Sequence, residues 1–411
     1  MLNAKSEPPA AKAGARLVQF FGLQRNISIL LVAIIVIGCG EEMWMRFVPK
    51  YLKTLGAAVW VIALYDGLKT ILGAVYAFPG GIAVDHWGHR KALVVFTLVS
   101  IVGYGLVWLI PHWAAVIGGS FLFLAWTCFS LPATFSLIAA NLHSSRLAMG
   151  IGVQSFIKRL PIIVGPVIGG VLIDRLGVVQ GVRLSLLVTL GFAGLALLIQ
   201  ANIREETPPA PSARGLFSVL RSFDPALARL LVSDILIRFC ERIPFAWTVI
   251  YAMDHLGMSG SQVGLLTAVE MSFAVACLIP AAHLADKYGR HGFVVVTFIL
   301  FTLFPLSLWI AHSFAWLVVA FALRGLKEFG EPARKALIIS YAAPEMRGRV
   351  VGAYYLVRDL VVSTGAIIGA ALWKVGAGAN FLTAALIGVA GTVYYLAFVR
   401  ERKVSRSATI P

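Results

Sequence analysis

The sequence predicts an all-α polytopic membrane protein with twelve transmembrane helices, arranged as two pseudo-symmetric six-helix bundles. Three observations support this fold class. First, 59% of the residues are hydrophobic and 13% are charged, whereas soluble proteins have about 45–50% and about 25%. Second, apolar stretches of about 20 residues recur along the chain, and these suit membrane helices but are too long for barrel strands. Third, short motifs of the first half recur about 200 residues later.

Twelve predicted spans follow from the apolar runs between glycine, proline and charged residues. In the first half they cover 27–47, 58–79, 91–111, 114–140, 148–174 and 180–202. In the second half they cover 226–252, 261–284, 292–311, 315–341, 349–374 and 380–399. Backbone polar groups in lipid must be satisfied within each segment, and only a helix achieves this over such a run.

The spans and the stretches between them predict five regions. These are a cytoplasmic tail at 1–25, a six-helix bundle at 26–203, a cytoplasmic linker at 204–224, a second six-helix bundle at 225–399 and a cytoplasmic tail at 400–411. The linker is Pro-rich and charged, a composition typical of connections between domains. Because each half contains an even number of spans, both termini and the linker fall on the same side of the membrane.

The net charge of +16 is explained by membrane topology rather than by nucleic-acid binding. Most lysines and arginines outside the spans fall on the side of the termini and the linker. Such an excess marks the cytoplasmic side of a membrane protein. We therefore expect a multi-pass protein of the cell (inner or cytoplasmic) membrane that attracts anionic lipid and has no nucleic-acid partner.

Enzyme chemistry is not indicated by the sequence. The four cysteines lie inside apolar runs without C-x-x-C spacing, as is typical of small buried side chains rather than of metal ligands. The eight histidines are scattered, and neither H-E-x-x-H nor G-x-S-x-G occurs. We expect no catalytic residues, no cofactor and no metal site.

A short polar motif between the second and third predicted spans has a counterpart in the second half. Its pattern, G-x-x-x-D-x-x-G-x-R-K, lies between Pro79 and Lys91. The glycines permit a tight reversal, the aspartate can meet a helix N-terminus and the cations suit the aqueous face of the membrane. The residues of the two copies are Gly81, Asp85, Gly88 and Arg90 in the first and Asp286, Gly289 and Arg290 in the second.

This duplicated motif resembles the signature loop between helices 2 and 3 of the major facilitator superfamily of transporters. The resemblance covers nearly the whole chain, because other pairs such as Glu41 and Glu241 match at the same offset. It implies two six-helix halves that alternate access to a site near the membrane midplane. It also implies that helices 1, 4, 7 and 10 line the cavity and that both motif loops act as cytoplasmic latches.

The fifth predicted span contains Gly165, Pro166, Gly169 and Gly170. These residues resemble the G-P-x-x-G-G motif that is commonest in proton-coupled exporters of the superfamily. Small residues also permit close helix packing, and proline loosens the helical hydrogen bonds, whichever way a substrate moves. The family motif usually carries another glycine four residues before its G-P, where this chain has Pro161.

Many ionisable residues lie inside the predicted spans, where a central charge costs about 2.5–3.5 kcal/mol. Such side chains should face one another or water rather than lipid. The predicted substrate- and proton-binding residues are Glu41, Glu42 and Arg46 in the first span, Asp234, Arg238, Glu241 and Arg242 in the seventh, Arg324, Lys327, Glu328 and Glu331 in the tenth, and Arg358 and Asp359 in the eleventh.

Glu41 and Glu241 occupy mirror positions and are the first candidates for proton binding. Burial favours the protonated form of a carboxylic acid, so that the group can exchange protons near neutral pH. In drug exporters of the superfamily, a glutamate embedded in the first helix is often the proton or substrate-cation site. The alternative is structural ion pairing, of Glu42 with Arg46 and of Glu241 with Arg238 and Arg242.

The tenth predicted span carries its charges within about 120° of one helix face. Proton-coupled exporters of the superfamily have an arginine early in the fourth helix. The position that pairs with Arg324 in the repeat is Leu124 here, so the second half carries that charge. Asp66 and Lys69 in the second span and Glu270 in the eighth are compatible either with gating pairs or with a relay.

These observations favour a secondary active transporter, specifically a proton-coupled antiporter that exports a small organic solute or drug by alternating access. We expect it to work as a monomer, with protons as the coupling ion. One alternative is a proton-coupled importer of an organic anion or nutrient, in which Arg46, Arg242, Arg324 and Arg358 hold carboxylate or phosphate. Another is a lipid flippase of the same fold.

Overall fold

The computed structural model describes residues 25–141, 156–204, 223–341 and 347–399, and every described element is a helix. The predicted tails at 1–25 and 400–411 and the predicted linker at 204–224 lie almost entirely outside these residues. This helical architecture confirms the predicted all-α class.

Five of the described helices belong to the first half of the chain. They are α1 (Arg25–Met45), α2 (Val48–Thr54), α3 (Val59–Leu109), α4 (Trp113–Asn141) and α5 (Arg159–Gln200). In the second half the helices are α6 (Pro225–Ile250), α7 (Gly260–Tyr288), α8 (Arg290–Trp309), α9 (Phe314–Leu326), α10 (Glu331–Ser340), α11 (Arg347–Ser363), α12 (Gly365–Val375) and α13 (Ala377–Phe398). A π-helical turn, Tyr251–His255, extends α6, and a 3₁₀ turn, Lys327–Gly330, joins α9 to α10.

Two long helices each run through parts of two predicted spans, and the backbone of each is broken at a single glycine. The backbone of α3 breaks at Gly88 (φ 79°, ψ 163°), and that of α5 breaks at Gly177 (φ 78°, ψ 162°). Only glycine adopts this conformation without steric cost, so one residue suffices to reverse the chain. The sequence predicted a longer loop between residues 79 and 91, whereas the helix continues up to Gly88. Its counterpart in the repeat, Gly289, likewise has a positive φ (94°) at the start of α8.

Eight described helical segments are long and apolar enough to cross a membrane. Their outer faces carry large apolar side chains that are more than half exposed, as at Val102, Leu109, Leu198 and Leu386. Lipid covers such surfaces in a membrane protein. Of the remaining predicted spans, the seventh and the tenth are interrupted by charged side chains, in α6 and in the α9–α10 segment. The fourth is a shorter apolar helix over the described residues Trp113–Cys128.

The described residues cluster into two compact units. Unit 1 contains residues 25–57, 71–141, 156–204 and 259–264, and unit 2 contains residues 58–70, 223–258, 265–341 and 347–399. Each unit is therefore built mainly from one half of the chain. Each also includes a short segment of the other half: the first turns of α3 belong to unit 2, and the start of α7 belongs to unit 1.

The centre of unit 1 is the packing of α1 along α5. At this interface the glycines of the fifth-span motif let the two backbones touch. A Cβ on Gly165 would meet Glu42, and a Cβ on Gly169 would overlap the carbonyl of Met43. Farther along α5, Gly170 packs on Gly260 at the start of α7. Buried side chains complete the core: Ile27, Leu30, Leu31, Ala33, Ile34, Ile37, Ala92, Leu93, Phe96, Trp126, Ala196 and Ile203.

The aspartate one turn beyond these glycines also contacts α7. The carboxylate of Asp174 accepts hydrogen bonds from the backbone N–H groups of Gly260 (2.5 Å) and Ser261 (2.8 Å). These are the free donors of the first turn of α7, where a negative charge is stabilising. Asp174 therefore caps α7 from a different helix.

In unit 2, α6 packs against α8, α11 and α13 around an apolar core. Its buried members include Leu227, Leu230, Ile237, Val294, Phe298, Phe301, Leu337, Tyr354 and Tyr395. The buried amide of Asn380 on α13 donates to the carbonyl oxygens of Ile243 (3.3 Å) and Gly369 (2.8 Å). Two charged residues of α6 lie directly beside this core: Asp234 contacts Tyr354, and Arg238 contacts Phe301.

Candidate functional site

In unit 1 the central polar feature is the carboxylate of Glu41 on α1, a residue that is 6% exposed. The hydroxyl of Tyr104 on α3 donates to Oε1 at 2.5 Å. The hydroxyl of Thr127 on α4 lies 3.1 Å from both carboxylate oxygens. Three helices therefore meet at this carboxylate, and two neutral hydroxyl groups bind it.

A cluster of aromatic rings adjoins this carboxylate through Tyr104. Trp44, one turn after Glu41, packs edge-on against Phe123 with ring centroids 5.1 Å apart. It also packs edge-on against Tyr104 at 6.4 Å, and the rings of Tyr104 and Phe123 stack at 6.1 Å. Glu41 is therefore an acid at the edge of an apolar, aromatic cluster.

The other charges near α1 come from α5 and from α1 itself. Lys158, just before α5, interacts electrostatically with Glu41. Glu42 lies beside Gly165 of the fifth-span motif, and Arg46 follows the end of α1. Of the three residues predicted in the first span, Glu41 is the one that the hydroxyl groups of α3 and α4 bind.

Unit 2 contains a network of buried ion pairs that joins α6, α10 and α11. At its centre the carboxylate of Asp234 accepts a hydrogen bond from Arg334 at 2.5 Å and one from Tyr354 at 3.1 Å. Arg334 also donates to Glu331 at 2.6 Å and 3.2 Å. Arg358 lies 3.6 Å from Asp234. Burial of so many charges is tolerable because each carboxylate meets a cation.

The network continues toward the 3₁₀ turn. Arg238 donates to Glu241 at 2.8 Å and to Glu331 at 2.6 Å. Lys327, the first residue of the 3₁₀ turn, also pairs with Glu241. Both cations lie 5.0 Å from the ring of Phe301. Glu241 is therefore bound by two cations, whereas the hydrogen bonds described for its mirror residue Glu41 come from hydroxyl groups.

Two further ion pairs flank the network. Arg324, 2% exposed, pairs with Glu270 at 3.1 Å, and its guanidinium lies over the rings of Phe304, Phe245 and Phe321 at 4.8–5.9 Å. Asp359 pairs with its neighbour Arg358 at 2.7 Å.

A third pair involves Arg242, which donates to Asp66 at 2.8 Å. Glu328, the remaining predicted residue, lies in the 3₁₀ turn.

Several residues of these clusters were not predicted as site residues. Tyr104, Thr127 and Tyr354 are neutral donors whose position depends on the rotation of each helix, and no sequence pattern marks them. Asp66 and Glu270 were noted as ionisable, but their partners lie on distant helices.

The duplicated loop motif is described only in part. Gly88 and Gly289 provide the chain reversals, and Arg90 and Arg290 begin the helical segments that follow. The side chains of Asp85 and Asp286, and Gly81, lie outside the described side chains. The role of these loops as latches therefore stays a prediction.

Comparison with known proteins places the chain in a family. The sequence profile of the Major Facilitator Superfamily matches residues 30–252 and 230–411, which span both halves. Multidrug resistance protein MdtG of Enterobacter lignolyticus is 25% identical over 393 residues, covering 90% of this chain and 91% of that protein. MdtG of Serratia proteamaculans is 24% identical over 400 residues, covering 90% and 93%.

Solved structures share the fold at low sequence identity. A POT family transporter in complex with a thioalcohol-conjugated peptide superimposes with a TM-score of 0.77 at 12% identity, covering 91% of this chain and 96% of that one. The nucleoside transporter NupG gives a TM-score of 0.73 at 12% identity, covering 92% and 100%. The resemblance inferred from the repeated motifs is thus confirmed, and the chain belongs to the Major Facilitator Superfamily as a multi-pass membrane transporter rather than an enzyme.

Proposed function

We propose that this transporter is a proton-coupled antiporter that exports a small organic solute or drug across the cell (inner) membrane. In this proposal both termini are cytoplasmic, the protein works as a monomer, and its two six-helix halves, 26–203 and 225–399, alternate access to the substrate site. The observation that carries the proposal is the environment of Glu41, a buried carboxylate bound by the hydroxyl groups of Tyr104 and Thr127. The relatives named as multidrug resistance proteins support the direction of transport.

The contacts of Glu41 suit a group that gains and loses a proton. A hydroxyl can donate to an ionised carboxylate and can equally accept from a protonated one. Protonation of Glu41 therefore leaves Tyr104 and Thr127 with usable hydrogen bonds. By contrast, protonation of Glu241 would leave Arg238 and Lys327 without the negative charge of this partner in a buried network. Buried charges without a counterion are strongly unfavourable. We therefore assign proton exchange to Glu41 and a supporting, charge-balancing role to Glu241.

The same environment suits a lipophilic cation. The rings of Trp44, Tyr104 and Phe123 are buried against one another beside Glu41, and aromatic rings next to a carboxylate are a combination that attracts organic cations. A proton and a cationic substrate would then compete for Glu41, and this competition is what couples proton entry to substrate exit. Binding that differs between the two access states shifts their populations.

The charges of unit 2 balance one another. The carboxylates of Asp234, Glu241, Glu331 and Asp359 meet the cations of Arg238, Lys327, Arg334 and Arg358. A balanced network has no excess charge with which to attract an ion. We propose that these residues have a structural, charge-balancing role within unit 2, and that the charge preference comes from Glu41.

One observation favours a second candidate, import of an organic anion. The buried Nη1 of Arg324 has no hydrogen-bond acceptor among the described residues. A guanidinium with a free donor suits a carboxylate or phosphate substrate. In that case acidic rather than cationic solutes would be moved, and Arg324→Gln would abolish their uptake.

The test uses proteoliposomes that contain the purified full chain and a fluorescent lipophilic cation. We expect an imposed pH gradient to drive movement of this cation, because proton binding and cation binding compete. Glu41→Gln should abolish the response to the gradient, since glutamine cannot exchange a proton. Asp254→Asn, which removes an exposed carboxylate, serves as the matched control and should respond as the unmodified protein does. Gradient-driven movement of normal rate in Glu41→Gln would refute the assignment.

A further inference from the structure

Asp66, on the first turns of α3, is a buried carboxylate outside the site proposed above. The residue is 3% exposed. Its Oδ1 accepts a hydrogen bond from Nη1 of Arg242 at 2.8 Å. Its Oδ2 is also buried, and no donor among the described residues reaches it. An ionised carboxylate offers about four acceptor sites, so the charged form of Asp66 is held largely by one guanidinium.

The charged groups near Asp66 come from α3, α6 and α9. On α3 itself Lys69 lies one turn away, and Arg324 on α9 contributes a second positive charge, partly balanced by Glu270 on α7. The guanidinium groups of Arg242 and Arg324 both lie 5.2 Å from the ring of Phe245.

At the α11–α12 junction the close neighbours of α3 are uncharged. A Cβ on Gly67 would lie 3.5 Å from the carbonyl oxygen of Ser363 and 3.8 Å from Cβ of Ala366. The Asp66–Arg242 pair is thus an ionic contact between the first turns of α3 and α6, and the contact beside Gly67 is an uncharged one.

We propose that Asp66 is a second proton-binding site, and that its protonation releases the first turns of α3 from α6 and from the α11–α12 junction. In the ionised state the pair with Arg242 holds these turns in place. A proton from water that binds the unpartnered Oδ2 neutralises Asp66 and leaves Arg242 without its counterion. The side chain of Arg242 is 19% exposed, so its guanidinium can then turn toward water, where a lone charge is more stable.

This site is separate from Glu41, because the two carboxylates belong to different units and their described hydrogen bonds differ: Tyr104 and Thr127 bind Glu41, and Arg242 binds Asp66. The inference therefore does not rest on the proposed export of a solute. It can be tested without any substrate.

The test uses the close approach of Gly67 and Ala366 as a reporter. Their Cβ separation of 3.8 Å matches that of a disulfide, so Gly67→Cys with Ala366→Cys should cross-link when α3 is held. The pair is introduced into the full chain after the four native cysteines have been replaced by serine. The purified protein is reconstituted in liposomes and oxidised over a pH series on both sides of neutrality.

We expect the cross-link yield to fall as the pH is lowered. Asp66→Asn, which mimics the protonated acid, provides the pH dependence of the thiol chemistry alone. The chain with Asp66 should cross-link several-fold more than Asp66→Asn at high pH, and the two should converge at low pH. Equal yields at every pH would overturn the proposal.

Two further variants keep the test decisive if Asp66→Asn does not fold. Arg242→Gln should abolish the pH-dependent part of the yield, whereas Arg242→Lys, which keeps the charge, should retain it. A pH response that survives in Arg242→Gln would refute the role of the pair. Finally, Glu41→Gln should retain the pH response of the cross-link yield. Loss of the response in Glu41→Gln would show that Glu41, rather than Asp66, binds the proton.

Discussion

The buried pair of Asp234 and Arg334 allows the most quantitative stability prediction. Arg334 is 1% exposed, and its guanidinium donates to Asp234 at 2.5 Å and to Glu331 at 2.6 Å. Replacing it by methionine in Arg334→Met keeps most of the side-chain volume but leaves two carboxylates without this partner. Because buried charges are costly when unpaired, we expect a large loss of stability.

The structure sets the size of the loss. Removing one member of a buried ion pair costs about 3–5 kcal/mol. After Arg334→Met, Asp234 would still meet Tyr354 at 3.1 Å and Arg358 at 3.6 Å, and Glu331 would still meet Arg238 at 2.6 Å. We therefore expect the lower end of the range, about 3 kcal/mol.

Replacing the acidic member of the pair should cost less stability. Asp234→Asn leaves Arg334 bound to Glu331, so the cost should be about 1–2 kcal/mol for the weakened hydrogen bonds. The double variant Arg334→Met with Asp234→Asn removes the stranded charge and should be more stable than Arg334→Met alone. This non-additivity is the signature of a direct interaction.

The free energies of unfolding can be measured by titrating the purified protein with denaturing detergent in mixed micelles. Lys335→Met is the matched control, because Lys335 is the exposed neighbour of Arg334 and its loss should change stability by at most about 0.5 kcal/mol. Equal stability of Arg334→Met and the control would contradict this expectation, and so would a double variant that loses the sum of the two single effects.

Three further predictions concern helix packing. Gly169→Ala should destabilise unit 1 by at least about 2 kcal/mol, because the new methyl overlaps a backbone carbonyl of α1. Gly191→Ala, in open space on the same helix, should be neutral or stabilising by about 0.5–1 kcal/mol. Equal melting temperatures for the two variants would contradict this prediction. Asp174→Asn should lower the free energy of unfolding by about 1 kcal/mol, because the acceptor for the N–H of Gly260 loses its charge. The difference between this variant and the unmodified protein should shrink at acidic pH, where Asp174 of the unmodified protein becomes protonated. Asn380→Leu should cost about 1–3 kcal/mol, because two carbonyl oxygens of α6 and α12 lose their donor; an unchanged melting temperature would show that water replaces the amide.

The fold class and the repeat could be predicted from the sequence because they depend on local patterns. Apolar run length fixes the number of spans, and Gly88 and Gly289 mark matching reversals in the two halves. The breaks inside helices were harder to predict. Nothing in the apolar pattern indicates that residues 79–87 stay helical, or that Lys327–Gly330 narrows to a 3₁₀ turn.

The partners of the predicted charges could not be derived from the sequence. Glu41 was identified because a carboxylate in an apolar span needs an explanation, but its partners Tyr104 and Thr127 come from helices whose rotation depends on tertiary packing. The contact between Asp66 and Arg242 joins residues 176 positions apart. Helical periodicity decides which side chains share a face, and only the packed structure decides which faces meet.

The glycine-lined seam between α1 and α5 has a consequence for how unit 1 can move. Main chain lies against main chain at Gly165 and Gly169, so few flexible side chains are available there to absorb a displacement. The two helices should consequently move together as one rigid body. A displacement of α1 that follows proton binding at Glu41 would then be transmitted along α5 to Asp174, without rotamer changes in between.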